Sequence, residues 1–278
     1  MTQQITISCE LFPPKNASGM QKMQSAITAL QSRRPAYFSC TYGAGGSTRD
    51  NTFTTVDWLL NQSLEVAPHL TCIANTQEDT LRILRRYQAQ GIRRIVALRG
   101  DRPADSLPVA RELVYADELV SLIRAHFADH FYIEVAAYPE MHPESAHLAE
   151  DLDHFQHKVE AGADGAITQY FYSVAAYTNF LEACAKRRIT VPIVPGIMPI
   201  VNYANLQRFS ERCGAELPRW LCRQLDSYGD DQASIQAFGA DFVAQFCTQL
   251  LAAGAPGLHF YTLNQAAPTL AVWDRLAV

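Results

Sequence analysis

The chain has 278 residues, 48% of them apolar, with a formal net charge of −5; that is enough for one large core and close to the roughly 250 residues of an α/β barrel. The acidic balance argues against a nucleic-acid partner, which wants a basic face. "MTQQITISCELFPPKN" has no basic region followed by an apolar run, and no later stretch reaches the length of a membrane span, so neither export nor a membrane partner is expected. Seven scattered cysteines (9, 40, 72, 184, 213, 222 and 247) form no CxxC pair; reduced thiols in a cytoplasmic chain are expected.

The β-branched and aromatic run "ITISCELF" from residue 5 predicts the first strand, and "AYFSCTY" from 36, "VAPHLTCI" from 66 and "RRIVALRG" from 93 predict the next three. "FYIEVAAYP" from 131, "GAITQYFY" from 165, "TVPIVPGIM" from 190 and "GLHFYTLN" from 257 continue them. Between them lie stretches with helical spacing, such as Leu81, Leu84 and Tyr87, or Leu119, Leu122, Ile123 and His126. Gly91, Gly162, Gly254 and Gly257 precede strands and predict helix C-caps. The basic pairs Arg33-Arg34, Arg93-Arg94 and Arg187-Arg188 read as solvated helix ends or strand approaches.

Strand starts recur about every 30 residues, the length of a βα repeat, except before the last strand, where 198–254 has room for two or three helices broken around "LPRW" and "SYGDD". Eight apolar strands alternating with helices predict one (β/α)8 TIM barrel over 1–278 with an extra helix inserted before the eighth strand; an open doubly wound sheet is the alternative.

Active sites of such barrels lie at the C-terminal strand ends. Glu10, Thr41, His69, Asp101, Tyr138, His142 and Gln169 collect there. Each alone has a bland reading: His69 as a satisfied core histidine, Gln169 bridging strand carbonyls, Glu10 paired with Arg99, Asp101 capping a loop. Their coincidence on one rim favours a site. "TYGAGGSTRD" (41–50) is a glycine-rich loop that fits a phosphate cradle or an ordinary tight turn. The segment "HPESAHLAEDLDHFQHK" puts His147, Asp151, His154 and Lys158 near one helix face, but the lysine argues against a metal, and none is expected.

"CELFPPK", "TYGAGGSTRD", "APHLTC", "VALRGD", "AAYPEMHPE", "GADGAITQ", "VPIVPGIMP" and "FYTLN", spread from about residue 5 to 265, together closely resemble the methylenetetrahydrofolate reductases, specifically the short bacterial-type enzyme. The resemblance implies a homo-oligomeric, FAD-containing barrel that reduces 5,10-methylenetetrahydrofolate to 5-methyltetrahydrofolate by a ping-pong mechanism, with NADH or NADPH as hydride donor. "RGD" is then a flavin-binding strand end. The alternatives are a flavin-free folate- or pterin-binding barrel such as a methyltransferase, and an inactive binding scaffold.

Carried over position by position, the resemblance makes Glu10 the general acid. Asp101 contacts both flavin and substrate, Gln169 contacts the pterin, and Phe209 stacks on nicotinamide or folate in turn. It places Thr41, Tyr42, Ala44, His69, Arg99, Gly100, Asp101 and Ala116 against the flavin. Tyr138, His142, Ser145, Asp151, His154, His157 and Lys158 complete that set, and Asn205 and Gln265 fall at the folate tail. Relatives commonly carry Asn and Arg where this chain has His154 and His157, and Gln and Arg where it has Asn205 and Gln265.

Overall fold

The computed structural model describes residues 5–42, 46–73, 75–100 and 112–276, with the backbone alone for 46–49. Six βα units open the chain: β1 (Thr6–Leu11) with α1 (Ala17–Gln31), β2 (Phe38–Cys40) with α2 (Gly46–Asn61), β3 (Val66–Thr71) with α3 (Gln77–Ala89), β4 (Arg94–Leu98) with α4 (Ala116–Phe127), β5 (Tyr132–Ala137) with α5 (Leu148–Glu160), and β6 (Gly165–Thr168) with α6 (Val174–Lys186). There follow β7 (Ile193–Val194), β8 (Gly196–Ile197), α7 (Tyr203–Cys213), α8 (Arg219–Ser227), α9 (Gln232–Ala252), β9 (Gly257–Tyr261) and α10 (Ala266–Trp273). Three helices thus fill the long interval before the last strand, broken at Pro218 and capped at Asp231, whose side chain accepts from Ser234 N–H.

All pairs are parallel, in the order β7-β6-β5-β4-β3-β2-β1-β9-β8. The first and last members are halves of one segment, interrupted at Pro195, which has no N–H to give a ladder. One half pairs with β6 and the other with β9, while the Pro195 carbonyl accepts from His259 N–H at 3.0 Å. The predicted eight-stranded barrel therefore closes through a bend in its seventh strand.

Register sorts the strand residues into two sets. Ile7, Cys9 and Leu11 of β1 and Ile95 and Ala97 of β4 face outward and join the helices in the main core. Ser8, Glu10, Ser39, Ala67, His69, Val96, Glu134, Ile167, His259 and Tyr261 follow the other parity through the pairings Glu10↔Ser39, His69↔Val96, Val96↔Glu134, Ser8↔His259 and Glu10↔Tyr261, so they share the lumen face. Among the described residues the lumen holds a small buried apolar cluster of Tyr37, Ala67, Val96 and Ile167, with Leu98 and Tyr261 packed against it. Its polar residues are the ones an apolar-strand reading does not explain.

Gly91, Gly162 and Gly254 follow helix ends with φ of 79°, 114° and 95°, the left-handed geometry of a C′ glycine. Gly257 is not such a cap. It begins β9 against β1, where an added Cβ would lie 2.2 Å from the Thr6 carbonyl oxygen. Arg94 also departs from the solvated reading: its guanidinium lies 4.5 and 4.2 Å from the rings of Tyr37 and Tyr132 and 3.1 Å from the buried Glu134 carboxylate. Tyr37 O–H donates to that carboxylate at 2.9 Å, closing the barrel floor with a paired charge.

Candidate active site

A cavity of about 690 Å³ opens at the C-terminal strand ends, a size suited to a cofactor or small ligand. Of the sequence-predicted residues, Glu10, Thr41, Tyr42, His69, Arg99, Gly100, Tyr138, His142, Gln169 and Phe209 line it. Asp101 and Ala44 lie outside the described residues.

Glu10 is carried to the rim by β1, whose carbonyl at this residue accepts from Thr262 O–H at 2.6 Å. Desolvation in the lumen pushes its carboxyl up to about 8. His69 Nε2 lies 3.5 Å from Glu10 Oε2 but makes no hydrogen bond among the described residues. Burial holds this imidazole down at about 3. At neutral pH the two are a protonated acid and a neutral base, close but not an ion pair. Arg99 does not pair with Glu10; it grips Glu144 in a bidentate bridge at 2.6 and 2.9 Å.

The β5–α5 connection is organised around Asp151, which is buried and accepts from His142 N–H and Ser145 O–H, each at 3.2 Å. Tyr138 packs edge-on against the His142 ring at 4.6 Å. Lys158 donates to the Ala136 carbonyl at 2.6 Å, and desolvation lowers its ammonium to about 8, with Asp151 and Asp117 opposing the shift and Arg99 adding to it. Gly100 takes φ 86°, with Thr71 packed where a side chain would stand. Ala116 begins α4 and is buried.

Other predicted positions lie off the cavity lining. His154 is exposed and stacks on Tyr115 at 6.4 Å, and His157 is exposed. Asn205 is exposed on α7 and accepts from Arg208 at 3.0 Å, while Gln265 is exposed at the N-cap of α10. His147 caps α5, its Nδ1 accepting from Glu150 N–H at 3.1 Å.

Sequence reasoning missed several lining residues, notably Glu144, Arg212, His259 and Tyr261. His259 is fully buried in the lumen, with Ser8 Oγ 2.7 Å from its Nδ1 and a pKa pressed down to about 3 by burial. The rule that singled out His69, a histidine inside an apolar strand, applies equally to "GLHFY".

Comparison with known proteins agrees with this layout. The family profile "Methylenetetrahydrofolate reductase" matches residues 1–277. The chain is 39% identical to 5,10-methylenetetrahydrofolate reductase of Escherichia coli (strain K12) over 276 residues, covering 99% of this chain and 92% of that protein. It is 35% identical to a probable methylenetetrahydrofolate reductase (NADH) of Oryza sativa subsp. japonica, covering 98% of this chain but 48% of that one. Among solved structures, an uncharacterised Clostridium thermocellum protein that binds two copies of 5-methyl-5,6,7,8-tetrahydrofolic acid shares the fold at TM-score 0.71 and 18% identity, covering 98% and 96% of the two chains. The dihydropteroate synthase of Xanthomonas albilineans shares it more distantly, at TM-score 0.52 and 12% identity over 99% and 94%. A lumen acid set at the strand ends of a closed parallel barrel and a profile spanning nearly the whole sequence lead to one conclusion: the chain belongs to the methylenetetrahydrofolate reductase family.

Proposed function

We propose that the protein reduces 5,10-methylenetetrahydrofolate to 5-methyltetrahydrofolate with NADH or NADPH in a ping-pong sequence, with FAD as resident cofactor, as a cytoplasmic homo-oligomer. The observation that carries this reading is the Glu10 carboxyl, its pKa raised to about 8, lying 3.5 Å from the buried His69 Nε2 in the family's barrel cavity. The residues present fit a flavin dinucleotide. The buried His69 Nε2 has no hydrogen-bond partner among the described residues, Gly100 lines the cavity with backbone alone because Thr71 packs where a side chain would stand, and Arg99 and Lys158 supply cations near the cavity. Thr41, Tyr42, Ala44, Ala116, Tyr138, His142, Ser145, Asp151, His154 and His157 complete the proposed cofactor set.

FAD, when bound, supplies the hydride chemistry. The chain's own work is proton transfer and orientation. The substrate's one-carbon unit sits in an aminal ring that hydride does not attack directly. Glu10 gives its proton to the leaving nitrogen, the C–N bond breaks, and the ring opens to an iminium. Asp101 is proposed to stabilise that cation by a fixed negative charge in a water-poor site. Gln169 both donates and accepts, as the pterin edge requires, and Phe209 offers an aromatic face to folate or nicotinamide.

Anaerobic titration of the purified protein tests the reading. It should be yellow, release FAD on denaturation, bleach with NADH or NADPH and recolour on adding methylenetetrahydrofolate. A colourless protein that still binds folate would replace it with a flavin-free folate barrel.

A further inference from the structure

Besides Cys213, α7 brings two long side chains to the cavity lining, Phe209 and Arg212. They are three residues apart, so they neighbour each other on the helix surface, with Arg212 about 4.5 Å further along its axis. Among the described residues, two arginines, Arg99 and Arg212, line the cavity. Arg99 is already held by Glu144. Arg212 makes no hydrogen bond or ion pair among the described residues. Arg33, Arg82, Arg86, Arg94, Arg124, Arg187 and Arg275 pair with carboxylates, and the other described arginines without such a partner, such as Arg34, Arg85, Arg188, Arg219 and Arg223, do not line the cavity. The neighbouring Arg208 is also engaged, bonded to Asn205 and lying 5.6 Å from the Phe209 ring. An unmatched guanidinium facing a ligand cavity, on a chain of net charge −5, marks where an anionic group of the ligand belongs.

We infer that Arg212 binds the glutamate carboxylates of the folate tail. The inference rests on the folate reading above. A folate is linear, with pterin, aminobenzoate and glutamate in that order. With the pterin at Gln169 on the end of β6 and the aminobenzoyl ring against Phe209, the glutamate reaches the next turn of α7, where Arg212 stands. Asn205 and Gln265, the tail positions by family pattern, are neutral amides that supply no charge, and neither lines the cavity. The pyrophosphate of a nicotinamide dinucleotide shares the anionic chemistry, and binding measurements separate the two sources.

The test is calorimetric titration of the flavin-loaded protein and its Arg212→Gln variant with 5-methyltetrahydrofolate, with 5-methyltetrahydropteroate, which lacks the glutamate, and with the nicotinamide nucleotide. Arg212→Gln should weaken folate binding about five- to tenfold, the value of one charge-assisted contact at a partly exposed site. The pteroate and nucleotide affinities should not move. Arg212→Lys should recover part of the loss, keeping the charge without the fork. Equal weakening of folate and pteroate, no weakening, or a loss confined to the nucleotide would overturn the assignment. If the wild type binds neither pterin ligand, the reductase reading itself fails and this one with it; if it binds both with equal affinity, the tail is not recognised at all. Arg212 is exposed, so the variant should melt with the wild type, which checks that the fold is intact.

Discussion

His69 Nε2 faces Glu10 Oε2 across 3.5 Å, and the lumen strips the charge from both. Desolvation raises the acid to about 8 and lowers the base to about 3, opposite to what an exposed ion pair would do. A neutral imidazole beside a carboxyl does not draw its proton away. Glu10 can therefore hold a proton at neutral pH and release it to a nitrogen that becomes basic as its bond breaks.

Glu10→Gln keeps the shape and removes the proton. Reduction of the bound flavin by nicotinamide should persist, while folate reduction falls at least roughly 100-fold, the lower end for lost general acid catalysis. In the wild type, folate reduction should decline as pH rises through about 8, where the carboxyl ionises. Stopped-flow measurement of the two half-reactions checks this; equal losses in both would remove Glu10 from its role.

The same shift predicts a stability difference. Glu10 has its folded pKa raised from 4.5 to about 8, so the folded state holds a proton that the unfolded chain has lost. Its stabilising contribution is full below pH 4.5 and is lost as pH rises to about 8. Relative to wild type, Glu10→Gln should gain stability over that window by on the order of 2–4 kcal/mol and level off above it. Urea midpoints at pH 5 and 8.5 measure it; a gap that is the same at both values would mean the carboxyl is solvated.

The barrel was legible because its signals are local and periodic. The apolar runs, the repeat length and the left-handed glycines at 91, 162 and 254 each act within a few residues of the chain. The rim was legible for Glu10, His69 and Gln169 because a polar side chain inside an apolar strand has to be explained. Illegible were the partnerships that depend on register across strands. Nothing near Arg94 announces that Glu134 and Tyr37 will meet it inside the lumen, nor that Glu144, 45 residues on, takes Arg99 away from Glu10. Gly257 looked like a cap because a cap and a close strand contact both ask for the smallest residue; only the approach of Thr6 tells them apart.

Arg94 and Glu134 carry the next expectation. Glu134 is 2% exposed and relies on Arg94 and Tyr37 for its charge. Arg94→Met leaves a buried carboxylate without its cation and should destabilise the fold by about 3–5 kcal/mol. Adding Glu134→Gln removes the stranded charge and should restore most of the loss. A double variant no more stable than Arg94→Met alone would show that packing of the arginine between the two tyrosines, not charge, is what counts.

Asp101→Asn removes a charge with little change in volume. If Asp101 faces the flavin and the iminium as proposed, folate reduction should slow while the bound flavin becomes easier to reduce, since repulsion of its anionic reduced form is gone. Spectroelectrochemical titration gives the direction. A potential that is unchanged or lower would place Asp101 away from the ring.

Lys158 supplies a test of the cofactor site that needs no turnover. Desolvation lowers its ammonium to about 8, with Arg99 adding to the effect and Asp151 and Asp117 opposing it. If Lys158 serves the FAD pyrophosphate, the anion favours the charged form, so binding is strongest below pH 8 and weakens above it as the free protein loses that proton. The limit is about tenfold per pH unit until the ligand-bound pKa is reached. Lys158→Met should bind weakly with no such slope, and Lys158→Arg should hold its affinity to higher pH, since guanidinium stays charged. FAD dissociation constants at pH 7 and 9 for the three proteins decide the matter: a wild-type profile as flat as that of Lys158→Met would leave this lysine as a tie for the Ala136 carbonyl and nothing more.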